Sequence, residues 1–209
     1  DYNLSGDHYR VATDYTNAKW PMVELGEVCE LVNGYAFKSE NYVDSGIRVI
    51  RITNVQKGKI VDDNPKFYPI NTKEPIEKYK LLEGDLLISL TGNVGRVGLL
   101  GRELLPAALN QRVACLRVDR EKINSRFLFS FLNGDDFEED CIKASSGVAQ
   151  KNLSTVWLSK FRIPLPPLEI QEQVVAEIGN YQNAIKESKK SIEIYEQKTK
   201  ETIAKLWSE

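Results

Sequence analysis

The longest continuous pattern in this sequence is its C-terminal stretch, and it constrains the fold more than any other feature. Residues 168–207 contain no proline and only one glycine, Gly179, and are rich in Glu, Gln, Lys, Ile and Ala. These residues favour an α-helix. At about 1.5 Å per residue the helix would run roughly 60 Å, far longer than an ordinary globular helix. The sequence therefore predicts one long helix near the end of the chain.

The apolar residues of this stretch recur every seven positions, as they do in a coiled coil. A helix this long cannot bury such a seam against a small domain, so the pattern predicts a partner helix. Two alternatives remain open: the helix folds back on its own domain, or it breaks at Gly179 into two shorter helices. The residues expected to carry the helix contact are Val174, Ile178, Tyr181, Ile185, Ile192, Tyr195 and Leu206.

The region before this helix has the pattern of a domain built mainly from strands. Apolar and β-branched runs predict strands within residues 47–55, 67–70, 86–90 and 112–118, and Asn124-Ser125 predicts a helix start. We therefore predict an α+β fold, with a mixed, mainly β domain over residues 20–160 and a long coiled-coil-type helix within 161–209. Residues 1–19 lack a leading Met, and we expect an arm or the tail of an upstream region.

Composition places the chain among folded proteins of a reducing compartment. The 209 residues suffice for one domain and an appendage, and the formal net charge of −2 indicates no global attraction to nucleic acid. The three cysteines are widely spaced, which favours reduced thiols and a cytoplasmic location. No apolar run is as long as a membrane span. His8 is the only histidine, and no ligand spacing predicts a metal site.

Motifs for catalysis are weak in this sequence. An adenine methyltransferase would carry an Asn/Asp-Pro-Pro-aromatic loop, whereas the Pro166-Pro167 pair is flanked by leucines. The carboxylates form no convincing nuclease set, and Gly92, Gly95 and Gly98 lack the spacing of a phosphate-binding loop. The sequence therefore predicts a binding protein without catalytic activity, although a DNA enzyme remains a weaker alternative.

Charge is distributed unevenly along the chain. Residues 48–112 contain eleven basic and seven acidic side chains, a net charge of +4 within a chain of −2. Amides and hydroxyls that can read base edges lie in the same region. This segregation favours a phosphate-facing surface. A solvated surface of mixed charge is the alternative.

Several motifs, in this order, resemble the specificity subunit of Type I restriction-modification systems. They are the segments 20–29 (beginning Trp-Pro-Met-Val-Glu-Leu), 34–39 (Gly-Tyr-Ala-Phe-Lys-Ser), 82–88 with Thr91-Gly92, 109–113 (Leu-Asn-Gln-Arg-Val), 147–154 and 163–171 (Ile-Pro-Leu-Pro-Pro-Leu-Glu-Ile-Gln). The resemblance covers about residues 20–207. It implies a DNA target-recognition domain followed by a long helix that sets the distance to a second half-site.

This resemblance also implies the partners. The chain would read one half of a bipartite site in double-stranded DNA and position an adenine methyltransferase, with a restriction subunit as a further possible partner. The methyltransferase would hold S-adenosylmethionine, so no cofactor is expected in this chain. A complete member of the family carries two such units with paired helices, and this chain has one. It is predicted to be a half-size subunit that forms a homodimer, or part of a methyltransferase-specificity fusion.

The residues expected to contact DNA lie in turns and strand ends of the less acidic region. They are Lys38, Arg51, Asn54, Thr91, Asn93, Arg96, Asn110, Gln111, Arg112, Gln150, Lys151 and Asn152. An alternative from another class is an adaptor that binds no DNA and acts through its long helix.

Overall fold

The computed structural model describes residues 19–73, 75–145 and 152–207. The chain divides into two compact units between Leu168 and Glu169. The first contains all the described strands, and the second consists largely of one helix. This confirms the predicted α+β class. Gln150, Lys151 and nearly all of the predicted arm lie outside the described residues.

The largest sheet has four antiparallel strands. Its order is β2 (Cys29–Asn33), β10 (Val113–Val118), β7 (Leu86–Ser89) and β8 (Val97–Leu99). Every residue of β7 is buried, as its apolar run predicts for a central strand. The strands predicted within 86–90 and 112–118 are thus confirmed.

A second sheet has three strands and holds the one parallel pairing between described strands. In it β3 (Ile47–Ile50) pairs antiparallel with β6 (Phe67–Tyr68) and parallel with β9 (Ala107–Leu109). The parallel register sets Ile50 opposite Leu109. The segments that leave β3 and β9 therefore start from the same end of this sheet.

The strand predicted over residues 47–55 is wrong beyond Ile50. A short 3₁₀ turn, Ile52–Asn54, follows Arg51, because the Asn54 side-chain oxygen accepts the Arg51 backbone N–H at 2.9 Å. Such local side-chain bonds compete with a strand ladder. After this turn, β4 (Val55–Gln56) and β5 (Lys59–Ile60) form a two-stranded hairpin.

A two-stranded sheet joins the start and the end of the first unit. Here β1 (Met22–Glu24) pairs antiparallel with β11 (Arg162–Pro164). Hydrogen bonds extend the pairing on both sides, from Leu25 N–H to the Phe161 carbonyl and from Leu165 N–H to the Pro21 carbonyl, each at 2.9 Å. The chain enters and leaves this unit at adjacent positions.

The described part of the first unit also contains four short α-helices: α1 (Leu25–Val28), α2 (Ser125–Leu132), α3 (Asp135–Ala144) and α4 (Thr155–Lys160). The predicted start of α2 is confirmed, because the Asn124 side chain accepts the N–H groups of Arg126 and Phe127. The sequence reasoning missed α3. Its first turn contains three acidic residues, which the helix dipole favours, and its buried residues Phe137 and Cys141 lie four positions apart.

The last helix, α5, extends from Leu168 to Ala204 without interruption. Its 37 residues span about 55 Å. The alternative of two helices broken at Gly179 is therefore wrong. Every described side chain from position 180 onward is exposed. No helix among the described residues is long and apolar enough to cross a membrane.

The seam residues of α5 differ in exposure. Val174 and Ile178 are half-buried, whereas Tyr181, Ile185, Ile192, Tyr195 and Leu206 are exposed. Sequence reasoning missed Ile203, which is 53% exposed and lies eighteen residues, or five helical turns, from Ile185. Most of the apolar side chains of the second unit that the structure describes are thus exposed.

All three cysteines are buried free thiols of the first unit. Burial raises the pKa of Cys29 and of Cys141 to about 12, and it also raises the pKa of Cys115. At pH 8 a thiol with a pKa of 12 is only about one part in 10,000 thiolate, and the thiolate is the reactive form.

We therefore expect slow reaction of the native chain with Ellman's reagent at pH 8. In concentrated guanidinium chloride, where burial is lost, the three thiols should react rapidly. The absorbance of the released thionitrobenzoate measures both rates. Rapid release by the native chain would show that these thiols are accessible and contradict the expected burial.

Candidate nucleic-acid interface

Six of the predicted DNA-contact residues meet where strands of the two larger sheets end. We call this group the strand-end cluster: Thr91, Asn93, Asn110, Gln111, Arg112 and Asn152. Its members come from three separate segments of the chain. The first follows β7, the second connects β9 to β10, and the third precedes α4.

Backbone hydrogen bonds hold these segments together. The Leu90 N–H donates to the Arg112 carbonyl at 3.0 Å, and the Leu153 N–H donates to the Leu90 carbonyl at 2.7 Å. A bridge pairs Thr91 with Asn152. Because these bonds join backbone to backbone, they fix the spacing of the three segments without using the side chains of the cluster.

The side chains of the cluster suit nucleic-acid recognition. Asn93, Gln111, Arg112 and Asn152 are exposed, while Thr91 and Asn110 are half-buried. Amide side chains can pair with the edge of adenine, and arginine can pair with the edge of guanine or with phosphate. The cluster therefore presents several side chains able to pair with bases, and backbone hydrogen bonds join the three segments that carry them.

Arg51 borders this cluster through its backbone. The carbonyl of Ile50, which is the residue before Arg51, accepts the Asn110 N–H at 3.1 Å. The guanidinium of Arg51, however, donates to the Asn64 carbonyl at 2.7 Å, so this side chain supports the neighbouring loop.

The predicted DNA contact of Asn54 requires correction. This residue is only 3% exposed, its carbonyl oxygen accepts the Arg51 N–H, and its amide donates to the Val61 carbonyl at 2.9 Å. A buried amide with both ends bonded braces the loop and cannot reach a base edge.

The side chain of Arg96 belongs to a network of charged residues. Its guanidinium donates to the Gln56 side chain at 2.7 Å and lies 3.7 Å from the Glu138 carboxylate. Lys57 binds Asp135 and also Glu138, and hydrogen bonds to these carboxylates raise the pKa of Lys57. Both cations therefore tie turns of the domain to α3.

Ion pairs with acidic side chains engage several cations of the basic region. Arg48 pairs with Asp62, and Lys80 pairs with Glu77 at 2.6 Å. Together with Lys57 and Arg96, these residues belong to the group that gives the region its net charge of +4. The attraction to phosphate is therefore more local than the composition indicated, and exposed Arg112 becomes the main cationic group of the cluster.

Three further residues predicted to contact DNA are Lys38, Gln150 and Lys151. Lys38 is exposed and precedes the short 3₁₀ helix Ser39–Asn41. Gln150 and Lys151 lie outside the described residues. Their predicted contacts remain predictions.

Sequence reasoning missed residues that hold the cluster in place. The Tyr35 carbonyl accepts the Gln111 N–H at 2.9 Å, and the Tyr35 N–H donates to the Leu109 carbonyl at 2.8 Å. Gly34 permits this approach, since an added Cβ would lie 2.2 Å from the Asn110 carbonyl oxygen. The glycine–aromatic pair at 34–35 was the available signal. Within the described residues, no group of His, Cys, Asp and Glu could hold a metal ion.

Known proteins resemble this chain in sequence and fold. The Type I restriction enzyme MjaVIII specificity subunit of Methanocaldococcus jannaschii is 31% identical over 90% of this chain and 45% of its own length. The Type I restriction enzyme EcoBI specificity subunit of Escherichia coli is 30% identical over 76% of this chain and 31% of its own length. The chain thus spans less than half of each of these relatives.

A solved structure shares the fold. The crystal structure of the HsdS subunit from Thermoanaerobacter tengcongensis has a TM-score of 0.63 and 23% identity, covering 83% of this chain and 41% of that one. A family model described as the Type I restriction modification DNA specificity domain matches residues 17–196, which include the strand-end cluster and most of α5. The chain therefore belongs to the family of Type I restriction modification DNA specificity domains.

Proposed function

We propose that this chain reads one half of a bipartite site in double-stranded DNA as the specificity component of a Type I restriction-modification system. The observation that carries this proposal is the strand-end cluster, where exposed amides and a guanidinium stand on a backbone fixed by hydrogen bonds. The names of the relatives and of the family support the same role.

Each group in the cluster has a distinct part in recognition. Arg112 would bind guanine or phosphate, and the amides of Asn93, Gln111 and Asn152 would pair with base edges. Amides on three segments can address neighbouring positions of one groove. The segments 20–168 would thus form the reading unit, and α5 would be the spacer.

The chemistry of methylation would belong to a partner. We propose that an adenine methyltransferase binds this chain, holds S-adenosylmethionine and extrudes the target base, and that a restriction subunit joins the same assembly. This chain would contribute position and specificity without catalysis. The names of the relatives, all specificity subunits, support that division.

The uncovered face of α5 supports pairing with a second copy of the chain. In an antiparallel pair Ile178 of one copy would lie toward Leu206 of the other, with the centre near Ile192. The contact would be isologous, since both copies use the same surface. Such pairing would place two reading units at opposite ends and so address two half-sites.

A selection from randomised DNA duplexes tests the reading role. We expect the chain to enrich one short sequence and to lose affinity steeply as salt rises. Arg112→Ala should lower affinity for that sequence by about 1–3 kcal/mol, or roughly 5- to 150-fold. Filter binding against salt measures both effects.

Arg120→Ala is the matched control, because Arg120 is an exposed arginine beyond the other end of β10. We expect this variant to change affinity by less than about two-fold. Equal losses in both variants would indicate diffuse charge attraction in place of the cluster. Absence of any enriched sequence would favour an adaptor that acts through its exposed helix.

A further inference from the structure

The turn after β7 carries one of the exposed amides of the cluster. Residues 90–96 connect β7 to β8, with Asn93 exposed at the tip and Val94 only 1% exposed beneath it. Gly92 and Gly95 have φ angles of 67° and 82°, a region that suits glycine. The turn is therefore closely constrained below its tip while the Asn93 side chain faces solvent.

A buried hydroxyl lies directly beneath this tip. Ser89 has no exposed surface and is the one polar residue of β7, whose other members are Leu86, Leu87 and Ile88. A hydroxyl in such surroundings destabilises the fold unless it is hydrogen-bonded. Its presence in the central strand therefore calls for specific partners.

Both partners of that hydroxyl belong to the turn. The Ser89 Oγ donates to the carbonyl of Asn93 and accepts the backbone N–H of Arg96 at 3.0 Å. The Ser89 backbone also takes part, because its N–H donates to the Arg96 carbonyl at 2.9 Å and its carbonyl accepts the Gly95 N–H at 3.0 Å. Of these bonds, only the one from the hydroxyl to Asn93 holds the peptide at the tip.

Arg96 secures the other end of the turn. Its backbone is held by Ser89, and its guanidinium donates to Gln56 on the neighbouring hairpin. The Ser89 hydroxyl holds the Asn93 carbonyl, while the buried side chain of Val94 and the close approach of Gly95 to Cys141 restrain the residues that follow. Replacing that hydroxyl would remove its hydrogen bond to the peptide next to the Asn93 side chain.

We propose that Ser89 is a positioning residue for DNA recognition, whose buried hydroxyl sets the direction of the Asn93 side chain toward a base. This inference rests on the proposed reading function and adds a residue that does not touch DNA. Holding Asn93 in one orientation before DNA binds lowers the conformational entropy that is lost when the complex forms. The effect is specific for the base position that Asn93 reads.

The test compares variants on the duplex sequence that the unchanged chain enriches. We expect Ser89→Ala to reduce discrimination at the position that Asn93→Ala also affects, by about ten-fold, as loss of one hydrogen bond implies. The double variant Ser89→Ala/Asn93→Ala should lose no more than Asn93→Ala alone, because both act through the same side chain. Competition binding with duplexes substituted at each position gives these ratios.

Ser145→Ala is the matched control. Ser145 is 2% exposed, and its hydroxyl donates to the Ile142 carbonyl at 2.9 Å at the end of α3. Ser145 is therefore buried like Ser89, and its hydroxyl likewise donates to a backbone carbonyl, but it lies at the end of α3 and not beneath the tip. We expect this variant to keep the discrimination of the unchanged chain at every position.

A further variant separates positioning from folding. Ser89→Cys retains a side chain of similar shape with a weaker donor, so it should fold and show an intermediate loss at the same position. Unchanged discrimination in both Ser89 variants, or a loss spread evenly over all positions, would overturn the positioning role. Failure of the unchanged chain to enrich any sequence is a different result, and it would overturn the reading function together with this inference.

Discussion

A chain carrying Ile185→Asp and Ile192→Asp is expected to remain monomeric at concentrations where the unchanged chain forms dimers. Ile185 is 54% and Ile192 57% exposed in a single chain, so a helix pair would remove this apolar surface from water. Full burial of an isoleucine stabilises by about 1.5–3 kcal/mol. Because each of these side chains is about half exposed, dimer formation would add about half of that free energy per side chain. Four such side chains in a dimer give about 3–6 kcal/mol, or a dissociation constant raised roughly 100- to 10,000-fold.

Ile194→Asp provides the control on the same helix. Ile194 is 46% exposed, but nine residues from Ile185 it lies about 180° around the helix. It therefore points away from the seam, and its substitution should leave the dimer intact. Sedimentation equilibrium of the three proteins measures the constants. A monomeric unchanged chain, or equal weakening by all substitutions, would rule out self-association through this face.

Replacement of Gly34 by alanine is expected to destabilise the first unit by about 3 kcal/mol or more, because close-packed interiors have no room for an added methyl group. The new Cβ would lie 2.2 Å from the Asn110 carbonyl oxygen and 2.6 Å from the Leu109 carbonyl oxygen. Backbone atoms on both sides would have to move. The expected fall in Tm is about 6–12 °C.

The same substitution at Gly179 should have the opposite sign. No atom lies within 4 Å of a Cβ built there, and alanine is favoured over glycine within a helix by about 1 kcal/mol. Circular dichroism at 222 nm and thermal melting of both variants measure the difference. If Gly34→Ala melted together with Gly179→Ala, the close approach of residues 34 and 110 would be refuted.

Gly34→Ala should also affect DNA binding. Gly34 precedes Tyr35, whose carbonyl accepts the Gln111 N–H, so displacement of this segment moves the β9–β10 connection. Loss of affinity would accompany loss of stability in this variant. That coupling distinguishes it from Arg112→Ala, which should weaken binding while the Tm stays unchanged.

The sequence predicted the features that depend on nearby residues. The α5 helix follows from propensity and a seven-residue repeat, and the start of α2 follows from Asn124 as a cap. The continuous apolar run at β7 predicts a buried strand. Each of these patterns involves only residues that are close together in the sequence.

The sequence did not predict features that depend on residues far apart in the chain. Residues 91, 110 and 152 were proposed as contacts one by one, but their meeting depends on strand pairing across the domain. Asn54 has the composition of a contact residue, and only the folded loop shows that its amide is enclosed. Ser89 is the one polar residue of the apolar run at β7, but the sequence does not show which groups its hydroxyl bonds.

The pairing of β1 with β11 has a consequence for how such a protein can change over time. Because β1 and β11 lie side by side where the chain enters and leaves the first unit, the segment between them can be exchanged as one piece. Exchange of residues 25–161 by recombination would leave the two junction strands, and the helix that follows them, unaltered in sequence. Under the proposed reading function, one such genetic event would change recognition, while the residues outside the exchanged segment stay as they were.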